Sequence, residues 1–288
     1  MPDNPTNVEA LPHCGEFALP GHAVLALTGP DAAKFAQAQF MNDVSALPAG
    51  HWQWNGWLTP KGRVIALFAL LKFDDQTLWL LLPDGDAQAL ADGLRRFVFR
   101  AKLVLTVRDD LHVAGCFEAA AVGGAVIDGD AESGVVLDMS GDGGARALRI
   151  SGESAAEDIT ARSRWDAEDL RHGLPRLVET QREQWTPQQL SLARLNAYSV
   201  KKGCYPGQEI VARTHFLGQA KRGLVLVAGG GEIAPGMALQ ADGQRLGDVV
   251  SVAAGAALAV AAEPEAGIAL QVAGGAVTHA PLLGGLAR

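Results

Sequence analysis

Lys202-Gly203-Cys204-Tyr205-Pro206-Gly207-Gln208-Glu209 brings a thiol, an amine, a carboxylate and the makings of a tight turn into one short stretch. Pro206 presets φ for the second position of a type II turn, and Gly207 supplies the positive φ that the third position needs. Gly203 lets the backbone ahead of Cys204 approach another segment or a ligand closely. Lys201 and Lys202 precede the thiol and Arg213 follows it, and positive neighbours favour thiolate over thiol. The same residues also suit a structural turn around a small buried cysteine, so the residues alone leave both readings open. Glu209 either accepts paired N–H bonds from a flat heterocycle or neutralises Lys202. Arg213, His215, Lys221 and Arg222 read as a solvated basic face or as an anion site for a carboxylate or glutamyl tail. Cys14 and Cys116 have no comparable surroundings and are expected to be structural.

Working outward, Thr186-Pro187-Gln188-Gln189 has the chemistry of a helix start, with Thr186 as N-cap and Gln189 three residues on. It predicts a helix with Leu192 and Leu195 facing inward that delivers the chain to Lys201. After Arg222, short apolar runs at 224–227, 238–240, 247–252, 257–260 and 268–272 are separated by Gly, Pro or Asp. That is the pattern of a small β-barrel or sandwich. Near the beginning, residues 23–27 read as a strand and Thr28-Gly29-Pro30-Asp31 as a turn. A helix is predicted from about Asp31 to Met41, with Ala32, Phe35, Ala36 and Phe40 on one face.

Residues 51–107 look like an α+β unit. Trp52, Trp54 and Trp57 begin a strand, Thr59-Pro60-Lys61-Gly62 turns it, and strands follow at 64–73 and 77–82. Pro83-Asp84-Gly85-Asp86 caps a helix carrying Leu90, Leu94, Phe97 and Val98, and 103–107 is a closing strand. Residues 119–147, rich in Gly and Ala, read as weak strands and loops.

The chain has 288 residues, 48% apolar and 19% charged, a globular composition rather than a disordered one. Its longest apolar run, 64–71, is too short to span a bilayer, and no basic stretch followed by an apolar one opens the chain. A cytoplasmic protein without membrane contact is expected. Three widely spaced cysteines with no C-x-x-C pair argue against a disulfide framework and against zinc or cluster ligation, so no metal is expected. The net charge of -8 argues against non-specific nucleic-acid binding, and no direct nucleic-acid contact is expected.

The octet K-G-C-Y-P-G-Q-E, followed by R-T-H-F-L-G-Q-A-K-R-G, closely resembles the signature of the YgfZ proteins, relatives of the glycine-cleavage aminomethyltransferase (T-protein). Leu27-Thr28-Gly29-Pro30-Asp31-Ala32, Phe35, Gln39 and Asn42-Asp43-Val44 resemble the family's opening helix. Gly56-Trp57-Leu58-Thr59-Pro60-Lys61-Gly62-Arg63 is similar to its first hairpin, and Gly173-Leu174-Pro175 to its G-I-P element. One position departs. The acid that stands two places before the glycine of that element, and that helps hold the pterin in the aminomethyltransferases, is here Arg171. The resemblance leaves its role to Asp169 or Glu209.

The resemblance implies an α+β fold, a three-domain ring with a small C-terminal β-barrel. Residues 1–48 and 111–216 would form a discontinuous folate-binding domain, 49–110 an inserted ferredoxin-like module and 217–288 the barrel. It implies tetrahydrofolate, or a one-carbon derivative, near the central opening. Cys204 and Lys202 are the implied reactive pair, Lys202 lowering the thiol pKa. Gly203, Tyr205, Gly207, Gln208, Glu209, Arg213, Asp43 and Asp169 are the implied cofactor contacts. The implied role is a monomeric auxiliary protein supporting assembly or repair of iron–sulfur enzymes, including radical tRNA-modifying enzymes, under oxidative stress. Its partners would be iron–sulfur client or assembly proteins. Two alternatives remain: an aminomethyltransferase-like one-carbon transfer enzyme, and a non-catalytic folate-sensing docking module.

Overall fold

The computed structural model describes residues 15–218, 220–229 and 231–288. Cys14, and Gln219 of the motif after the cysteine loop, lie outside the described residues.

Strand β1 (Phe17–Ala18) precedes β2 (Ala23–Thr28), whose central residues are buried on both faces. Helix α1 spans Ala32–Gln39. It stops before the predicted limit because Phe40 turns extended and bridges to Trp57, while the Met41 N–H donates to the Gly56 carbonyl at 2.9 Å. Strands β3 (His51–Leu58), β4 (Val64–Lys72) and β5 (Thr77–Leu82), helix α2 (Ala87–Arg95) and strand β6 (Val104–Val107) follow in the predicted order, but α2 ends at Arg95, so Phe97 and Val98, expected on the helix, lie beyond it and Phe97 is exposed. Asp86 caps α2, its side chain accepting from the Ala89 N–H at 3.0 Å.

These strands make one antiparallel sheet in the order β3-β4-β5-β2-β6. It therefore draws on both sides of residue 48, where the sequence suggests a break. Alternation along the strands sorts the side chains. Leu25, Leu27, Phe68, Leu70, Leu78 and Leu80 pack under α1 and α2. Val24, Ala26, Ala69, Leu71, Trp79 and Leu81 face the other way, into the central core.

A second sheet, β1-β7-β10-β9-β8, is built from β7 (His112–Cys116), β8 (Asp128–Asp130), β9 (Gly134–Asp138) and β10 (Ala147–Ser151). Helix α3 (Ile159–Arg171), capped by Asp158, has no sequence forecast. Its inward face carries Glu168 and Asp169 beside Trp165 and Leu170, while Ile159 is exposed, so the apolar periodicity is broken. The helix predicted from Thr186 is reduced to one turn. Its capping box forms, with the Gln189 N–H donating to Thr186 Oγ1 at 3.3 Å and the Thr186 N–H to Gln189 Oε1 at 3.0 Å. Ser191 then takes φ 48°, and a short 3-10 turn, Leu192–Leu195, replaces the rest. Leu192 and Leu195 are buried, as expected.

Helix α4 (Gln208–Leu217) leads to β11 (Gly223–Gly229), β12 (Ala238–Ala241), β13 (Gln244–Ala253), β14 (Ala256–Ala261), β15 (Leu270–Val272) and β16 (Gly275–Ala280). These six strands close a barrel in the order β11-β14-β13-β12-β15-β16. Val225, Val227, Leu239 and Val249 fill it, whereas Leu224, Leu226, Val250 and Leu258 belong to the central core. Arg176 joins the parts. Its backbone N–H donates to Ser251 Oγ and its carbonyl accepts from the same hydroxyl, both at 2.9 Å. Its guanidinium donates to the Pro83 carbonyl at 3.0 Å and to Asp166 at 2.6 Å. Among the described residues no helix is long and apolar enough to cross a membrane.

Candidate functional site

The cysteine loop is a turn clamped onto a second turn. The Gln208 N–H donates to the Tyr205 carbonyl at 3.1 Å, and Gly207 sits at φ 80°, ψ 0°, as the third position of a type II turn requires. A Cβ on Gly207 would lie 2.6 Å from the Thr59 carbonyl oxygen, so only glycine allows the loop to rest on the 59–62 hairpin turn. The close approach expected at Gly203 is therefore made at Gly207. Gly203 is exposed, and a Cβ there would meet nothing within 4 Å.

Lys202 is buried, at 5% exposure, and its ammonium is turned inward. Nζ donates to the carbonyls of Gln37 (2.6 Å), Phe40 (2.6 Å) and Asn42 (3.0 Å). These lie at and beyond the end of α1, where carbonyls lack intrahelical partners and the helix dipole is negative. Burial lowers the Lys202 pKa to about 8, against the opposing pull of Asp43. Nζ also lies 5.0 Å from the centroid of the Tyr205 ring. Tyr205 donates to the Ser199 carbonyl at 3.1 Å, and burial, then the neighbouring Tyr198, pushes its hydroxyl pKa above the usual phenol range. Gln208 Nε2 donates to the Lys202 carbonyl at 3.0 Å. Lys202, Tyr205 and Gln208 thus hold the loop, and Cys204 is left exposed as a free thiol. Cys116, buried at the end of β7, is disulfide-bonded, a pairing that the wide cysteine spacing did not suggest. Glu209 and Arg213 are exposed on α4, Glu209 in its first turn.

Asn42 and Asp43 form the opposite side. The Asn42 N–H donates to Asn55 Oδ1 at 2.9 Å, and its Nδ2 donates to the carbonyls of Trp54 (2.9 Å) and Asn196 (2.6 Å). The Ser199 N–H donates to the Met41 carbonyl at 2.9 Å. The 41–43 segment is thereby stitched between β3 and the stretch leading to the cysteine loop. Asp43 Oδ1 accepts from Gln37 Nε2 (3.0 Å), the Ser45 N–H (3.1 Å), Ser45 Oγ (2.6 Å) and the Ala46 N–H (3.2 Å). Oδ2 has no hydrogen bond among the described residues. Burial raises the Asp43 pKa, but the bonds from Ser45, Ala46 and Gln37 outweigh it and hold the carboxyl below its usual range.

Asp43 lies in the wall of an open cleft of about 650 Å³, together with Tyr198, Ser199, Lys201, His215 and Arg288. Of the residues singled out in the sequence, the cleft gathers Asp43 and His215, with Lys201 at the root of the cysteine loop. Asp169 is elsewhere. It is fully buried, its carboxylate 2.8 Å from Arg146 Nη1 and 3.7 Å from Arg176 Nη1. Arg171 is ion-paired to Glu168 at 2.7 Å. The sequence reading passed over Tyr198 and Asn196. Asn196 carries a local signal only in hindsight, since its φ of 54° is one that asparagine tolerates better than most residues.

The sequence is 28% identical over 239 residues to the tRNA-modifying protein YgfZ of Vibrio vulnificus, a match covering 77% of this chain and 72% of the relative. It is also 28% identical over 242 residues to the protein of that name from Cronobacter sakazakii, covering 76% and 72%. The chain is YgfZ-like. The glycine cleavage system aminomethyltransferase T of Bartonella henselae has the same fold, with a TM-score of 0.72 over 92% of this chain and 84% of that one. At 15% identity that likeness concerns the fold alone. No family model matches the chain. Of the stretches that carried the resemblance, 27–44, 56–63 and 202–209 meet at the cysteine loop and Asn42, Asp43 and His215 line the cleft, whereas Gly173-Leu174-Pro175 does not line it.

Proposed function

We propose that the cleft beside Asp43 holds a reduced folate, tetrahydrofolate or a one-carbon derivative. The chain would be a cytoplasmic, monomeric auxiliary factor for iron–sulfur enzymes that modify tRNA, among whose clients and assembly partners it works. The observation that carries this reading is the ionised Asp43, fixed through Oδ1 and left with Oδ2 free in the wall of a cleft large enough for a pterin. A free carboxylate oxygen suits the N–H groups of an aminopyrimidine. Tyr198 offers a flat ring, Lys201 offers positive charge to glutamyl carboxylates, and His215 offers a ring N–H. When bound, the folate supplies a one-carbon acceptor. The chain's own residues bind and orient it, and present Cys204 at the surface. Lys202 acts as a positioning residue, since its ammonium is committed to backbone carbonyls. Gly203, Glu209 and Arg213 belong to the same reading as peripheral contacts.

Calorimetric titration of the reduced protein with tetrahydrofolate tests the first part: saturable binding is expected, and none at high micromolar ligand would refute it. Cys204→Ser tests the second. In cells relying on the variant, activity of iron–sulfur tRNA-modifying enzymes should fall while folding and folate binding persist. Wild-type behaviour would remove the thiol from function. The exposure of Cys204 favours one other reading, in which the loop only docks a client; Cys204→Ser would then lower client capture alone.

A further inference from the structure

Residues 95–102, Arg95-Arg96-Phe97-Val98-Phe99-Arg100-Ala101-Lys102, run from the end of α2 into β6, an edge strand of its sheet. The segment is anchored at both ends. The Phe97 N–H donates to the Leu94 carbonyl at 2.9 Å, the Val98 N–H to the Arg95 carbonyl at 3.1 Å, and the Lys102 N–H to Asp31 Oδ2 at 2.7 Å. Val98 and Ala101 pack against the core below. Phe97 rests one edge on Trp57, centroids 5.9 Å apart, and leaves the other half of its surface bare. Phe99 is 85% exposed, and the Arg100 guanidinium lies over its ring, 5.5 Å from the centroid. Arg95 is paired with Asp92, but Arg96, Arg100 and Lys102 have no ion pair with a described residue. A chain of net charge -8 thus displays a run of exposed cations, without ion pairs among the described residues, interleaved with exposed aromatic rings.

We propose that this strip, Arg96, Phe97, Phe99, Arg100 and Lys102, binds single-stranded nucleic acid, with bases stacking on the phenylalanines and phosphates meeting the cations. Stacking platforms flanked by Arg and Lys are the means by which single strands are held without sequence readout. The expectation of no nucleic-acid contact rested on total charge, whereas phosphate contact answers to local charge. A duplex hides its base faces and leaves Phe99 unused. An acidic protein would engage the cations but has no need of an aromatic ring held clear of the surface. The inference is independent of the folate reading.

The test is fluorescence anisotropy of a labelled mixed-sequence oligoribonucleotide of about 16 nucleotides, titrated with the full chain at low salt. Binding is expected, weakening steeply between about 50 and 200 mM salt. Phe99→Ala should weaken it by about 5- to 150-fold, and Arg96→Glu with Arg100→Glu should abolish it, with unchanged melting temperatures in all variants. No binding by the wild type overturns the proposal. So does binding that Phe99→Ala leaves unaltered. Equal affinity for a duplex, or for polyglutamate with the same sensitivity to charge reversal, would mean attraction of anions in general and would overturn it too.

Discussion

Gly62 and Gly207 meet backbone to backbone: a Cβ on Gly207 would lie 2.7 Å from the Gly62 Cα, and one on Gly62 would lie 3.3 Å from the Gly207 carbonyl oxygen. The hairpin turn and the cysteine loop locate each other through this contact. Gly207→Ala adds a clash with backbone and a strained φ, so it should destabilise the protein by about 2–4 kcal/mol. Urea unfolding gives the loss, and the alkylation rate of Cys204 reports whether the loop has moved. A variant as stable as wild type would mean the two turns part easily.

Asp43→Asn keeps an oxygen for the hydrogen bonds at Oδ1 but replaces the free Oδ2 by a donor. Folding should survive, while affinity for tetrahydrofolate falls roughly ten- to a hundredfold, the worth of a hydrogen bond to a charged group. Calorimetry on both proteins checks this, and unchanged affinity would move the pterin elsewhere in the cleft.

Asp169 answers two arginines, the buried Arg146 and the partly buried Arg176. Asp169→Ala strands the charge of Arg146, while Arg176 keeps Asp84 and Asp166, and should remove about 3–5 kcal/mol of stability. The loss should appear in the unfolding midpoint at equal size with and without folate. A selective loss of folate affinity would return Asp169 to the ligand.

Asp84 shares Arg176 with Asp166 and Asp169, and its pKa is raised to about 6, first by burial and then by the two other carboxylates, against the pull of Arg176. A carboxyl that holds its proton more tightly when folded stabilises the fold below its unfolded value, near 3.8, and loses that contribution as pH rises through about 6. Asp84→Asn should therefore be more stable than wild type at pH 7, by about 1–2 kcal/mol, and the difference should shrink toward pH 4. Urea midpoints at the two pH values decide it, and a variant weaker at pH 7 would show that the ion pair with Arg176 dominates.

Strands β4 and β5 and the apolar strands of the barrel were legible because they are near-continuous apolar runs set off by turn residues. Cooperative contacts were not. Nothing near Lys202 in sequence shows that its amine belongs to carbonyls at the end of α1. The pattern at Thr186 is a true capping box, yet the left-handed Ser191 overrides it after one turn. Helix α3 was hidden because its buried face contains carboxylates whose arginine partners come from elsewhere, Arg146 for Asp169 among them. Asp43 was named by resemblance, but its free oxygen emerges only when Gln37, Ser45 and Ala46 converge on the other one.

Barrel strands β11 and β14 are apolar on both sides: Val225 and Val227 point inward, while Leu224 and Leu226 join the core shared with Trp52 and Leu174. Excised at residue 222, the barrel would keep its filling but carry a sticky outer wall. It would aggregate unless that wall were re-surfaced with polar side chains. Evolution cannot trade this module between proteins as it trades tethered domains, and insertions are tolerable only at strand ends facing away from the seam.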